Sequence, residues 1–221
     1  MSFGMGWYPV ALSNGLESGR SAGSRLFDHE LCIWRDTDGK AHAWEDRCPH
    51  RGMRLSFGFV RGDRIACLYH GWQYDTHGQC RFIPAHPDLD VPATIGVATY
   101  ACTERLGIVW VYSDRLVETP PNLPIDERQV TPVRSLYVDC QPVAVIQALA
   151  ARSKNIRLAD VTLLSLDADG RDLLAGVQPY GKRKTALHMV LPGDPAVNHG
   201  AAQRAAAAWA EELRRRDLPL D

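Results

Sequence analysis

Two short segments combine thiols and imidazoles at a spacing that suits redox metal chemistry. Cys48-Pro49-His50-Arg51-Gly52 has the form C-x-H, and Cys67-Leu68-Tyr69-His70-Gly71-Trp72 has the form C-x-x-H, with sixteen residues between them. Two thiolates can hold one iron and two neutral imidazoles the other, so the pair of loops can clamp a single [2Fe–2S] core. Neutral ligands in place of two anionic ones leave the core less negative and raise its reduction potential above that of all-cysteine clusters. Each imidazole also carries a titratable ring N–H beside the redox iron, which couples electron uptake to protonation. Gly52 and Gly71 fit tight loops whose backbone N–H groups can approach the sulfurs. The cofactor-binding set is therefore Cys48, His50, Cys67 and His70 as metal ligands, with Arg51, Gly52, Tyr69, Gly71 and Trp72 around them. No catalytic residue is assigned. A zinc site would use the same ligand types, but its loops usually begin with two cysteines two to four residues apart. Two unrelated Cys–His pairs in structural roles are the other alternative.

The elements around these loops read as β. From about Phe3 to Ser113, short runs rich in Val, Ile, Trp and Tyr alternate with turn signals at Asn14-Gly15, Asp38-Gly39, His77-Gly78 and Ser113-Asp114. Leu31–Arg35, Ala41–Trp44 and Ile108–Tyr112 are the clearest strands, and both ligand loops are expected at hairpin ends. Residues 116–132, with Pro120, Pro121, Pro124 and Pro132, read as a linker. Residues 133–221 read as a small α+β unit. Its strands are expected at 133–145, 161–166, 173–178 and 185–191, and its helix at 201–216, with Trp209 and Leu213 on one face.

Composition narrows the partners. The 221 residues carry a net charge of −1, which gives no global field toward nucleic acid or an anionic membrane. The dense basic run Arg214-Arg215-Arg216 ends the helix, where cations suit the dipole. No apolar run is long enough to span a bilayer, and the N-terminus shows no secretory pattern, so a cytoplasmic location is expected. Cysteines there are thiols or metal ligands rather than disulfides. Cys32, Cys80, Cys102 and Cys140 are expected as small buried hydrophobes, and His29, His42, His77 and His86 as turn or strand-surface residues.

The two loops, with Gly6-Trp7-Tyr8-Pro9-Val10 before them and Cys80–Ala85 and Glu104–Val111 after them, resemble the Rieske domain of ring-hydroxylating oxygenases and oxidative demethylases. The resemblance covers roughly residues 5–115, and the domain is placed at residues 1–115. It implies a mainly β fold of antiparallel, sandwich-like sheets with a cluster-binding subdomain. The similar Rieske subunits of respiratory cytochrome complexes carry an extra cysteine in each loop and a serine that donates to a cluster sulfur. Met53, Tyr69 and Trp72 stand at those positions, which implies a potential at the lower end of the Rieske range.

In this family a catalytic domain follows, with a mononuclear iron held by two His and one carboxylate. The tail resembles pieces of that domain: Leu136–Gln147 its strand and helix start, and Gln178 onward its closing strand and helix. In that register Ala148, Ala151 and Lys154 replace the family's Asn, bridging Asp and first His ligand. His188 and His199, with Asp194 or Asp160, are the only other material for an iron site. An exposed strand His and a loop His are the preferred reading, and no mononuclear iron is expected. The resemblance thus implies an electron-transfer subunit served by a reductase or ferredoxin, acting on a full-length oxygenase subunit or within a homo-oligomer. The alternatives are a self-sufficient small oxygenase with an atypical iron site, and a non-catalytic redox-sensing or interaction module.

Overall fold

Short runs of β-branched and aromatic residues between turn signals make the N-terminal half a set of short antiparallel strands. The structure is a computed structural model that describes residues 5–114, 129–150, 153–155, 163–194, 196 and 200–216. The strands of this half are β1 (Trp7–Leu12), β2 (Ser21–Leu26), β3 (His29–Arg35), β4 (Ala41–Glu45), β5 (Phe59–Arg61), β6 (Arg64–Ala66), β7 (Gln73–Asp75), β8 (Cys80–Phe82), β9 (Thr99–Tyr100), β10 (Cys102–Arg105) and β11 (Ile108–Tyr112). They form three sheets, in the orders β1-β11-β10, β2-β3-β4-β9 and β5-β6-β7-β8. The first two face each other across a core that includes Tyr8, Val10, Leu31, Ile33, Val109 and Val111. The third is the cluster-binding subdomain. It packs on Trp34 and Trp44 from the second sheet, in one core with Cys48, Cys67, Tyr74 and Cys80.

Arg35 joins the first two sheets. Its guanidinium donates to both carboxylate oxygens of Glu104 on β10, at 2.6 and 2.7 Å, and to the carbonyls of Leu16, Gly39 and Ser13. His42 departs from its expected surface position. It is buried, 2.8 Å from Asp36 and stacked on Trp34, because its place on β4 faces the core beside Trp44. His29, His77 and His86 are exposed as expected.

The tail contains β12 (Val130–Val138), α1 (Pro142–Ala150), β13 (Ser153–Asn155), β14 (Leu163–Ala168), β15 (Arg171–Gly181), β16 (Lys184–Pro192) and α2 (Gly200–Arg216). Its five strands form one antiparallel sheet in the order β12-β16-β15-β14-β13. Two expectations change here. The strand begins at Val130, inside the segment read as a linker, and its Pro132 sits at a register shift on an edge strand, where a missing N–H is tolerated. The rest of that segment lies outside the described residues. The strand also stops at Val138 rather than 145. Pro142 opens α1, as suits a residue with no N–H to donate, and Val145, Ile146 and Leu149 are buried with it at helical spacing. Val143, Val145 and Ile146 favoured a strand by composition alone, and burial of a helical stripe outweighs that preference. The α2 stripe of Ala206, Trp209, Ala210 and Leu213 is buried in the same core, on the sheet face that α1 also covers.

The opposite face of the tail sheet packs on the N-terminal half. Leu163, Leu174 and Val190 share a core with Trp7, Ile108 and Trp110. Gly176 lies against Pro9 so closely that a Cβ would come within 2.9 Å of its ring. The Phe27 N–H donates to the Pro179 carbonyl. The two units are therefore held together by apolar burial, by that main-chain hydrogen bond and by the Gln178 side chain, which donates to Ser24 Oγ and the Arg25 carbonyl.

Candidate metal centre

The second ligand loop, residues 67–72, caps the β6–β7 hairpin, where Ala66 pairs with Gln73. The first loop does not cap a hairpin, contrary to expectation. It leaves β4 of one sheet and leads into β5 of another. The two loops nevertheless share one backbone pattern. Cys48 N–H donates to the Met53 carbonyl and Gly52 N–H to the Cys48 carbonyl; Cys67 N–H donates to the Trp72 carbonyl and Gly71 N–H to the Cys67 carbonyl. Closing each loop this way requires left-handed backbone at its glycine, with φ of 73° at Gly52 and 71° at Gly71.

The glycine N–H groups are thus spent on carbonyls. The groups that face a sulfur are the N–H groups of Tyr69 and His70, toward Cys67. Burial pushes the Cys67 thiol up, and those donors pull it the other way without cancelling the rise. Both thiols are buried, and Cys48 lies close enough to interact with the Cys67 sulfur. Tyr74, which the motif reading passed over, places its hydroxyl 3.1 Å from the Cys48 sulfur. The signal that could have found it is an aromatic hydroxyl on the inward face of β7, two residues past Trp72.

The imidazoles form a second pair. The His50 and His70 rings lie 4.6 Å apart, His50 stacks on Trp72 at 4.3 Å and 4°, and Tyr69 covers His70 at 3.9 Å. His50 is half-buried and His70 exposed. Desolvation, then the adjacent His70 and Arg51, hold His50 below the ordinary imidazole value, which favours the neutral ring a metal requires. Arg51 and Tyr69 are exposed at the rim. Among the described residues no three His, Cys, Asp or Glu side chains converge on a point suited to a single ion. The donors fall instead into a buried sulfur pair and a more exposed nitrogen pair, the division that a two-iron core with unlike irons needs.

The candidates in the tail are not brought together. His188 is buried, against the expectation of an exposed strand residue, because β16 is the central neighbour of both β12 and β15. Both its ring nitrogens are engaged, Nδ1 with Ser135 Oγ at 2.8 Å and Nε2 with Gln178 Oε1 at 2.7 Å. Burial lowers its pKa to about 4. Asp194 is exposed. His199, Asp160 and Ala151 lie outside the described residues. Ala148 is on α1 and Lys154 on β13.

Sheets of this order, with two loops offering paired sulfurs and imidazoles, define an iron–sulfur protein. Residues 6–101 match the Rieske [2Fe–2S] domain. The chain is 36% identical over 152 residues to oxidoreductase NdmD of Pseudomonas putida, covering 65% of this chain and 25% of that protein. It is 38% identical over 113 residues to methylxanthine N1-demethylase NdmA of Pseudomonas putida, covering 49% of this chain and 32% of that one. The solved structure of dicamba monooxygenase bound to 3,6-dichlorosalicylic acid has a similar fold, with a TM-score of 0.76 at 18% identity over 96% of this chain and 84% of that one. The chain spans a quarter to a third of the length of these two curated relatives. Residues 6–101 are thus a Rieske [2Fe–2S] domain, which takes one such cluster as its cofactor, and the proteins it is similar to include Rieske oxygenases and demethylases. No helix among the described residues is long and apolar enough to cross a membrane.

Proposed function

We propose that this Rieske iron–sulfur oxidoreductase is the electron-transfer component of an oxygenase system. Cys48 and Cys67 hold one iron, and His50 and His70 hold the other. Single electrons arrive from a reductase or ferredoxin and leave for a mononuclear iron in a partner subunit. When bound, the cluster supplies one-electron storage at a potential above that of all-cysteine clusters. The chain's own residues do the rest. Burial of the two cysteines excludes water from the sulfur side, the Tyr74 hydroxyl donates to Cys48, and Trp72 fixes the plane of His50.

The observation that carries the reading is the exposure of His70 beside the buried sulfurs, which gives an electron a short route to the surface. The engagement of both His188 nitrogens supports a relay over a self-sufficient oxygenase, since that imidazole already serves the fold. Iron analysis tests the choice. Anaerobically purified protein is expected to hold about two irons per chain. After dithionite reduction it is expected to give a Rieske electron paramagnetic resonance signal. A third iron, with oxidation of an aromatic or methylamine-type substrate when only a reductase and ferrous iron are added, would overturn the relay.

A further inference from the structure

The two ligand loops are closed at their bases in different ways. The second is held by the Ala66–Gln73 pair of its hairpin, whereas the first leaves β4 and ends in the short helical turn Leu55–Phe57, with no strand pair beneath it. A side chain supplies the closure there. The Asp46 carboxylate, two residues before Cys48, accepts from the Ser56 N–H at 2.7 Å and from the Ser56 hydroxyl at 2.6 Å. Both residues are buried. Each end of this clasp is tied to the second sheet. The Asp46 N–H donates to the Glu30 carbonyl on β3, and the Ser21 hydroxyl on β2 reaches the carbonyls of Ser56 and Gly58 at 3.0 and 3.3 Å. Gly23, also on β2, comes so close that a Cβ there would lie 3.3 Å from the Ser56 hydroxyl.

The same turn also meets the second loop. A Cβ at Gly58 would fall 2.5 Å from the Ala66 carbonyl, so the backbone at the end of the turn rests on the residue before Cys67. Leu55, at the start of the turn, is fully buried in one core with Cys48 and Cys67. Residues 55–58 are therefore the spacer between the two ligand loops, and the Asp46–Ser56 clasp fixes where that spacer sits. A binding constellation of this kind tolerates a misplacement of about 0.5 Å. The separation of the loops is thus a property of the cluster site as well as of the fold.

We propose that Asp46 is a positioning residue for the cluster. Acting through Ser56, it holds the first loop at the separation from the second at which Cys48 and Cys67, and His50 and His70, share one diiron core; the proposal rests on the ligand assignment above. Without the carboxylate, the Ser56 N–H and hydroxyl lose their acceptor in a buried place, and the first loop keeps only its own internal hydrogen bonds. The second loop keeps its hairpin, so the two halves of the ligand set move relative to each other. A clasp that served stability alone would lower the unfolding temperature and leave the loaded cluster as it was.

The test compares the holoprotein with Asp46→Ala, Asp46→Asn, Ser56→Ala and Ser24→Ala. Ser24 is the control, since its hydroxyl donates from the same β2 to the Val10 carbonyl, away from the loop. Three quantities are measured: the thermal midpoint, the paramagnetic resonance g values after dithionite reduction, and the rate at which the ferrous chelator bathophenanthroline removes iron. Asp46→Ala is expected to release iron about tenfold or more faster than the parent, as when the support of a metal ligand is lost, and to shift the g values of the cluster that remains. Asp46→Asn keeps one oxygen acceptor for Ser56, and Ser56→Ala keeps the N–H contact, so both are expected to fall between Asp46→Ala and the parent. Ser24→Ala is expected to lose stability with the parent's g values and release rate. If Asp46→Ala does not fold, Asp46→Asn and Ser56→Ala decide by the same readouts. Parent-like g values and release rates in the Asp46 and Ser56 variants overturn the proposal and leave the cluster assignment standing. So does a change no larger than that in Ser24→Ala. A parent protein with no Rieske signal removes the assignment and the proposal together.

Discussion

The Tyr74 hydroxyl is buried 3.1 Å from the Cys48 sulfur. Burial, followed by the neighbouring Cys48, raises Tyr74 far above the ordinary phenol range, so it stays protonated and acts as the donor once Cys48 is a thiolate. Tyr74→Phe is expected to keep the cluster and lower its potential by about 40–60 mV, the one-electron equivalent of a hydrogen bond worth ~1–1.5 kcal/mol. A redox titration followed by paramagnetic resonance measures it; an unchanged potential would contradict the donor role.

The two loop glycines differ in what surrounds them. A Cβ at Gly71 would meet the Pro84 ring at 3.0 Å, whereas at Gly52 the nearest atom is the flexible Arg47 guanidinium at 3.6 Å. Both positions impose left-handed backbone, which costs a non-glycine residue about 1–2 kcal/mol. Gly52→Ala is therefore expected to show that penalty alone and to retain the cluster spectrum. Gly71→Ala adds displacement of Pro84 and is expected to lose cluster occupancy as well as stability. Equal thermal midpoints and equal iron content in the two variants would argue against this account.

The ligand set makes a sharper demand. Cys48→Ala and Cys67→Ala are each expected to abolish cluster binding, because one iron would keep only one protein thiolate. His50→Cys is expected to retain a cluster at a lower potential, since an anionic ligand replaces a neutral one. Visible spectra of anaerobically prepared variants report both outcomes, and an unchanged spectrum for Cys48→Ala would be incompatible with its assigned role.

How much of this was legible in the sequence depends on whether a signal was local. The cluster loops were, because ligand type, spacing and glycine all fall within a few residues, as in Cys67–Trp72. The β-branched and aromatic runs Leu31–Arg35 and Ile108–Tyr112 also named their strands directly. Local reading failed where the partner is distant. Tyr74 meets Cys48 across 26 residues, and His42 meets Trp34 by stacking between strands. His188 depends on Ser135, which is 53 residues away. At 142–145, β-branched composition pointed to a strand, and burial of a helical stripe against the sheet decides for a helix.

Arg35 and Glu104 show a second long-range dependence. The guanidinium is nearly enclosed and makes five hydrogen bonds, two of them to Glu104 and three to carbonyls of two turns, Ser13 and Leu16 in one and Gly39 in the other. Arg35→Ala leaves a partly exposed carboxylate and three carbonyls to be solvated again, and is expected to cost about 1–3 kcal/mol, mostly from the carbonyls. Glu104→Gln keeps an acceptor and leaves the carbonyl contacts in place, so it is expected to cost clearly less. Chemical denaturation of both variants checks the order, and a reversal would show that the carboxylate, not the guanidinium, joins the sheets.

His188 sets the response to acid. It sits between Ser135 and Gln178, and Gln178 in turn donates to Ser24 Oγ and to the Arg25 carbonyl on β2, so the chain of contacts runs from the tail sheet into the N-terminal half. Burial depresses its pKa from 6.5 to about 4, so between those values the unfolded chain binds the proton and the folded one does not. Stability from the neutral ring is therefore fully present above about pH 6.5 and is lost as pH falls toward 4, by up to about 3 kcal/mol. His188→Gln keeps hydrogen-bonding groups at the site without a titrating ring, and is expected to flatten the fall in stability over that window. Urea unfolding of parent and variant at pH 7 and pH 5 measures the difference. Parallel loss in the two proteins would mean that another group governs the acid response and that the buried imidazole contributes only packing.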